Sequence, residues 1–203
     1  MSSTTRSSPL RRSVFTLMLA GASAVAAVAF SLPPMASDAA AASLFGNVGS
    51  AGSTGMAGKP APAFTGIDTW INSPPLKIDE LRGKVVLVDF WTYTCINCLN
   101  QLPYVKAWHE KYKDQGLVVV GVHSPEYDEE KSIAGLKDAI ARLGIRHAVA
   151  QDNDFKTWKS YSNRYWPAIY LIDKQGKIVY SHFGEGQYQQ TEAQIQALLK
   201  QQG

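Results

Sequence analysis

The chain has 203 residues, 45% of them hydrophobic and 18% charged, an ordinary globular composition whose length suits one domain plus appendages. Its first 42 residues hold three of the 20 basic side chains (Arg6, Arg11, Arg12) and one of the 17 acidic ones (Asp38), so the formal charge falls from +3 to +1 without them. A nearly neutral domain lacks the basic stripe that nucleic acid requires, and no nucleic-acid partner is expected.

Residues 1–42 read as a targeting segment. Arg6, Arg11 and Arg12 form a positive n-region, Val14 to Phe30 is uncharged and rich in alanine, and small residues between Ala36 and Ala42 offer cleavage sites. The apolar run is about 17 residues, near the lower limit for a membrane-crossing helix, so a cleaved signal peptide and a retained N-terminal membrane anchor both stand. Either places the remainder outside the cytoplasm, because the arginines stay inside. Arg11–Arg12 also has the look of a twin-arginine signal, but Leu10 and Val14 fit that pattern poorly.

Residues 43–58 are rich in Gly, Ser and Ala and read as a flexible linker. A domain over 59–203 follows. Residues 61–82 alternate short apolar pieces with Pro, Gly and Asn, which predicts a small hairpin closed by a turn at Arg82-Gly83-Lys84. Val85 to Trp91, Leu117 to Val122 and Ala168 to Ile172 are near-continuous β-branched and aromatic runs, the pattern of buried strands. Helices are predicted between them, one through Leu102, Val105, Trp108 and Tyr112, another through Ile133, Leu136, Ile140 and Leu143 with Gly144 as its stop. His147 to Gln151 reads as an added strand and Asp154 to Tyr161 as a further helix. Asp173 to Gly176 is a turn into an alternating strand over Lys177 to Phe183, and Thr191-Glu-Ala-Gln194 has the form of a capping box opening a last helix. The acidic run Glu126 to Glu130 reads as a solvated helix start. The order describes an α/β fold with a mixed sheet and no internal repeat.

The chemistry lies in Cys95-Ile96-Asn97-Cys98, where a buried strand passes into a helix. Two cysteines in an exported chain would often form a structural disulfide, but a bridge across two residues closes almost no loop and stabilises little. Backbone N–H groups and the helix dipole favour a thiolate on Cys95, and Cys98 lies where it can attack a mixed disulfide formed there. The alternative, half of a zinc site, lacks a second cysteine pair, and His109, His123, His147 and His182 show no ligand spacing. No cofactor is expected.

Asp89, six residues before Cys95 on the strand leading to it, is a carboxylate inside an apolar run. Burial there raises its pKa and suits it to exchange a proton with the resolving thiol; a structural carboxylate is the bland reading. Pro167 precedes a buried strand, a position that demands a strand start or a special turn. Trp91, Tyr93 and Trp166 are candidates for an apolar rim around an extended peptide, although aromatics at this spacing more often belong to the core. His123 and Glu126 fall near the carboxyl end of the second strand, where either could tune Cys95 or hold substrate, or simply belong to a loop.

These residues resemble the thioredoxin superfamily, and within it the TlpA/ResA-like branch of exported reductases, over about Gly58 to Leu199. Trp91-x-x-x-Cys95-x-x-Cys98 and Pro103 match the family's active-site helix, Asp89 its buried acid, and Trp166-Pro167-Ala168 its cis-proline loop. Within that branch the chain is most similar to the periplasmic thioredoxin-like domain of DipZ-type proteins, on Trp91 to Cys98, Gly121 to Glu126, Asn163 to Ala168 and His182 to Gly186. The resemblance implies a three-layer fold with an N-terminal hairpin and an inserted helix–strand. It further implies a Cys95–Cys98 redox disulfide, a cis Trp166–Pro167 bond and substrate contacts from Trp91, Trp166 and Pro167. Protein disulfides are the implied substrates, as in keeping apocytochrome c or copper-site cysteines reduced. DipZ-type proteins also carry a membrane domain that delivers electrons, so here the expected donor is a separate membrane protein. Ile96-Asn97 departs from the Gly-Pro or Glu-Pro-like pair usual in the family and leaves the redox potential open. A peroxiredoxin-like thiol peroxidase and a copper- or metal-delivery module are the readings from other classes. The first would draw on the helix and strand at 128–151, the second on metal ligation by the cysteine pair.

Overall fold

A computed structural model describes residues 55–202; the targeting segment and most of the linker lie outside the described residues. Six strands form one mixed sheet: β1 (Thr69–Ile71), β2 (Val85–Trp91), β3 (Leu117–His123), β4 (Ala148–Gln151), β5 (Ala168–Ile172) and β6 (Ile178–Phe183). Their order is β1-β4-β3-β2-β5-β6. β2, β3 and β4 run parallel, and β1, β5 and β6 pair antiparallel with their neighbours. The helices are α1 (Ile96–Tyr112), α2 (Ile133–Leu143), α3 (Lys156–Ser160) and α4 (Tyr188–Lys200).

Strand alternation divides β2 between two cores. Val86, Val88 and Phe90 enter a cluster with Trp158 of α3, Tyr161 and Tyr170. Val85 and Leu87 point the other way, onto Val105 and Trp108 of α1 and Ile195 of α4. Trp91, further along that second face, packs with Cys98 and Leu102 of α1 and with Leu136 and Ile140 of α2. The result is three layers, with Asp89 between Leu87 and Trp91 on the face covered by α1. Parallel strands need crossover connections, and α1 and α2 supply them between β2, β3 and β4.

The predicted strands fall where the β-branched runs lie. Gly144 ends α2 in the left-handed region at φ 63°, with Ile145 N–H donating back to the Ile140 carbonyl at 3.0 Å. Two expectations are corrected. Residues 61–82 form no hairpin: Thr69–Ile71 pairs with β4, whereas Gly58 to Ala61 bond to Gly176 and Ile178 beside β6. The stretch therefore crosses from one edge of the sheet to the other instead of folding back on itself, and Pro60, Pro62, Pro74 and Pro75 have no N–H to offer a local ladder. Nor does Thr191 cap α4. The helix starts at Tyr188, and the buried Thr191 hydroxyl pairs with the Tyr180 hydroxyl at 3.0 Å, a tertiary contact that replaces the cap.

Gly121 marks a close approach within the sheet. It is in register with Asp89 and Val149, and a Cβ there would stand 2.9 Å from Trp91 Nε1 and 3.3 Å from His147 Nε2. Both rings are buried, so neither can swing away. Gly121→Ala is expected to lower stability by about 1–3 kcal/mol through overpacking. Urea unfolding of the reduced protein checks this; a variant as stable as the parent would contradict the packing.

Candidate active site

β2 ends at Trp91, and Thr92-Tyr93-Thr94 turns the chain into α1. Cys95 is the N-cap, in extended conformation at φ −70° and ψ 113°, and its sulfur accepts from Cys98 N–H at 3.3 Å. A sulfur so placed meets the unpaired N–H groups of a 17-residue helix, which stabilise negative charge on it. The two cysteines differ sharply. Both are free thiols, Cys95 partly exposed and Cys98 buried. Burial, reinforced by Cys95 and by the charge of Asp89, pushes the Cys98 thiol far above the usual thiol range. The more accessible sulfur, at the helix end, is the candidate nucleophile, and the buried one the candidate resolving thiol.

Asp89, on the α1-facing side of β2, is the candidate partner for that buried thiol. It is buried, and burial lifts its carboxyl to about 7, against the opposing effect of a hydrogen bond from Gln101. Gln101 Nε2 donates to Asp89 Oδ1 at 3.0 Å. A carboxyl titrating near neutrality exchanges protons readily near pH 7.

A second buried carboxylate sits on the other side of the turn. Glu130 Oε1 accepts from Thr94 N–H at 3.2 Å and from Thr94 Oγ1 at 2.5 Å; Oε2 accepts from Glu126 N–H at 2.6 Å and Tyr127 N–H at 3.1 Å. Burial alone would raise its pKa, but the hydrogen bonds from Thr92, Thr94 and the two backbone N–H groups outweigh it and hold the group below the usual carboxylate value. Glu130 thereby ties the residue before the nucleophile to the loop after β3. This corrects the reading of Glu126 to Glu130 as a solvated run: Glu126 to Glu129 are exposed and Glu130 is not. The signal was faint, a glutamate closing a tight acidic turn.

His123 ends β3 in register with Trp91, and its Nε2 pairs with Thr92 Oγ1 at 3.2 Å. Its ring stacks on Tyr93 at 5.3 Å, and burial pushes its pKa down to about 4, so it is neutral at physiological pH. It braces the turn as an uncharged ring. Glu126 itself is exposed and serves the loop through its N–H.

The Trp166–Pro167 bond is cis. Trp166 is half-buried, donates from Nε1 to the Ser124 carbonyl at 3.0 Å and packs on Trp158 at 4.3 Å. With Tyr93 and Cys95 it borders the Trp91–Cys98 cluster, so these two rings lie at the site's rim. Trp91 does not. It is 2% exposed, because strand alternation turns it inward with Leu87 and Asp89, and it supports Cys98 from below and touches no substrate there. Gln101 was missed. It stands in the buried stripe Cys98, Gln101, Val105, Trp108, Tyr112, and an amide in such a stripe marks a polar partner across the interface.

The model of the Redoxin family matches residues 56–199. The protein DipZ of Mycobacterium bovis is 49% identical over 142 residues, which is 68% of this chain but 20% of DipZ, so the chain spans about a fifth of that relative's length. ResA of Bacillus thuringiensis, a thiol-disulfide oxidoreductase, is 31% identical over 70% of this chain and 76% of its own. The crystal structure of a thiol-disulfide isomerase from Corynebacterium glutamicum superposes with a TM-score of 0.63 at 28% identity, covering 70% of this chain and 98% of that one.

Proposed function

For a chain that belongs to the Redoxin family, on the TlpA/ResA-like branch of the thioredoxin superfamily, we propose thiol–disulfide exchange with protein substrates through Cys95 and Cys98. The Cys95 thiolate attacks a substrate disulfide, forms the mixed disulfide and expels one substrate thiolate. Cys98 then gives its proton to Asp89, and its sulfur attacks Cys95 Sγ. The Cys95–Cys98 bond forms, the second substrate thiolate leaves, and the substrate is reduced by two electrons as the protein is oxidised.

One observation carries this reading: a partly exposed N-cap sulfur 3.3 Å from the backbone nitrogen of a buried cysteine, beside a buried carboxyl. Tyr93 and Trp166, half-buried at the edge of the Cys98 cluster, offer an extended peptide an apolar rim; Pro167 itself is buried.

The working direction is reduction, outside the cytoplasm, with electrons supplied by a separate membrane protein. Support comes from the TlpA/ResA-like likeness and from the basic, then apolar, N-terminal sequence. We take residues 1–42 as the exporting segment, 43–58 as linker and 59–203 as the catalytic domain.

Equilibration of the full chain with glutathione tests the direction. A potential near that of thioredoxin, about −270 mV, is expected; one near about −120 mV would make the protein an oxidant. A parallel peroxide assay is expected to show no turnover that survives Cys98→Ser, and such turnover would favour peroxidase chemistry.

A further inference from the structure

Gln101 donates a hydrogen bond to Asp89, and the oxygen half of its own amide is unmatched among the described residues. The residue is 1% exposed. Its Nε2 donates to Asp89 Oδ1, whereas its Oε1 is buried with no partner among the described residues. A buried carbonyl oxygen without a donor is uncommon in a folded protein and calls for one.

The surroundings narrow the source. β3 and β5 place Gly121 and Ile169 in register beside Asp89, and neither side chain carries a polar group. α4 contributes Ile195 and Leu198 to this layer, His182 of β6 lies one strand beyond Ile169, and Trp91, on the same face of β2 as Asp89, has a buried indole N–H with no partner among the described residues. From α1 comes Cys98, whose thiol senses the charge of Asp89. The donor already in contact with Gln101 is the Asp89 carboxyl itself, once it carries a proton.

We infer that Gln101 is a positioning residue whose amide turns over with the proton on Asp89, donating from Nε2 to the carboxylate and accepting at Oε1 from the carboxylic acid. The two ends of an amide are nearly the same size, so the turn requires no repacking. Either form of Asp89 then keeps a partner in a buried site. A cation at this position would lock the carboxylate; an apolar residue would favour the acid. The kinetic consequence rests on the proposed proton transfer from Cys98; the amide rotation does not.

The test is a titration of the reduced full-length chain by NMR from pH 4 to 10, following the Gln101 side-chain amide and the Asp89 carboxyl carbon. Both signals are expected to move with one shared midpoint, and the Gln101 movement should vanish in Asp89→Asn. In Gln101→Leu the Asp89 midpoint should rise by roughly one pH unit, because the ionised form has lost its donor. A Gln101 amide that stays fixed across the range, or an Asp89 midpoint unchanged in Gln101→Leu, would overturn the inference. The pH profile of the resolving step in Gln101→Leu separates the two ideas. If Asp89 shifts but the profile does not follow, Gln101 keeps its role and proton transfer by Asp89 is wrong.

Discussion

Cys95→Ser is expected to abolish disulfide exchange, by more than about a thousandfold, with every protein disulfide tested. The reason is geometric as well as chemical. Cys95 is the partly exposed sulfur of the pair, and the N-terminal N–H groups of α1 stabilise charge on it. Cys98 cannot replace it, being buried under Leu102 and Trp91 with its thiol held protonated by that burial. A serine oxygen at position 95 keeps the cap and the fold, so thermal stability should change little while turnover disappears. Single-turnover reduction of a fluorescent disulfide peptide reads the effect. Residual turnover at a tenth of the parent rate would show that Cys98 reaches substrate unaided.

Asp89→Asn carries the second large effect, and it separates the two chemical steps. The first attack does not draw on Asp89 and should be nearly unchanged. Resolution needs the Cys98 proton removed, and losing the base should slow it by about 10²-fold near pH 7. The gap should narrow at higher pH, as hydroxide takes the proton instead. Stability moves the opposite way. The Asp89 carboxyl titrates at about 7 in the fold against an ordinary value of 3.8, so the folded state holds its proton more tightly than the unfolded chain. Stability is therefore highest below pH 4 as far as this group is concerned. It falls as pH rises to 7, at most by about 1.4 kcal/mol for each pH unit between the two values. Asp89→Asn removes that slope, so the variant should gain stability relative to the parent between pH 4 and pH 8. Unfolding curves at those two pH values check the sign; a parent that is relatively more stable at pH 8 would contradict the burial of a neutral acid.

Much of the fold could be read locally. The β-branched runs at Val85 to Trp91, Leu117 to Val122 and Ala168 to Ile172 became β2, β3 and β5 because continuous apolar runs suit strands covered on both faces. Gly144 ended α2 because only glycine adopts φ 63° without cost. What periodicity could not give was the partner across an interface. Residues 61–82 looked like a hairpin since turn residues were at hand, yet their pairing partners lie about 80 and 115 residues downstream in the chain, at β4 and β6. Glu130 looked solvated because four neighbours are acidic or exposed, and nothing local showed that the Thr94 turn would close over it. Trp91 looked like a rim residue because it stands next to the motif; alternation along β2 decides otherwise. The cis Trp166–Pro167 bond came from family resemblance, since composition favours trans at any single X–Pro bond.

These corrections bear on the mechanism. The carboxylate pair Asp89 and Glu130 flanks the cysteine turn from two sides with opposite properties. Glu130 is held ionised by N–H and O–H donors, and Asp89 is held near neutrality by burial. One anchors the backbone before Cys95, and the other is free to take up and release a proton. Their environments, more than their residue type, assign the roles.

The most direct test of the division between the cysteines is mass spectrometry of full-length Cys98→Ser after mixing with a disulfide-bonded protein substrate. A stable mixed disulfide on Cys95 in near-stoichiometric yield is expected, since attack is intact and resolution is lost. No adduct in Cys98→Ser, with an adduct on Cys98 in the Cys95→Ser protein, would contradict it and reverse the two roles.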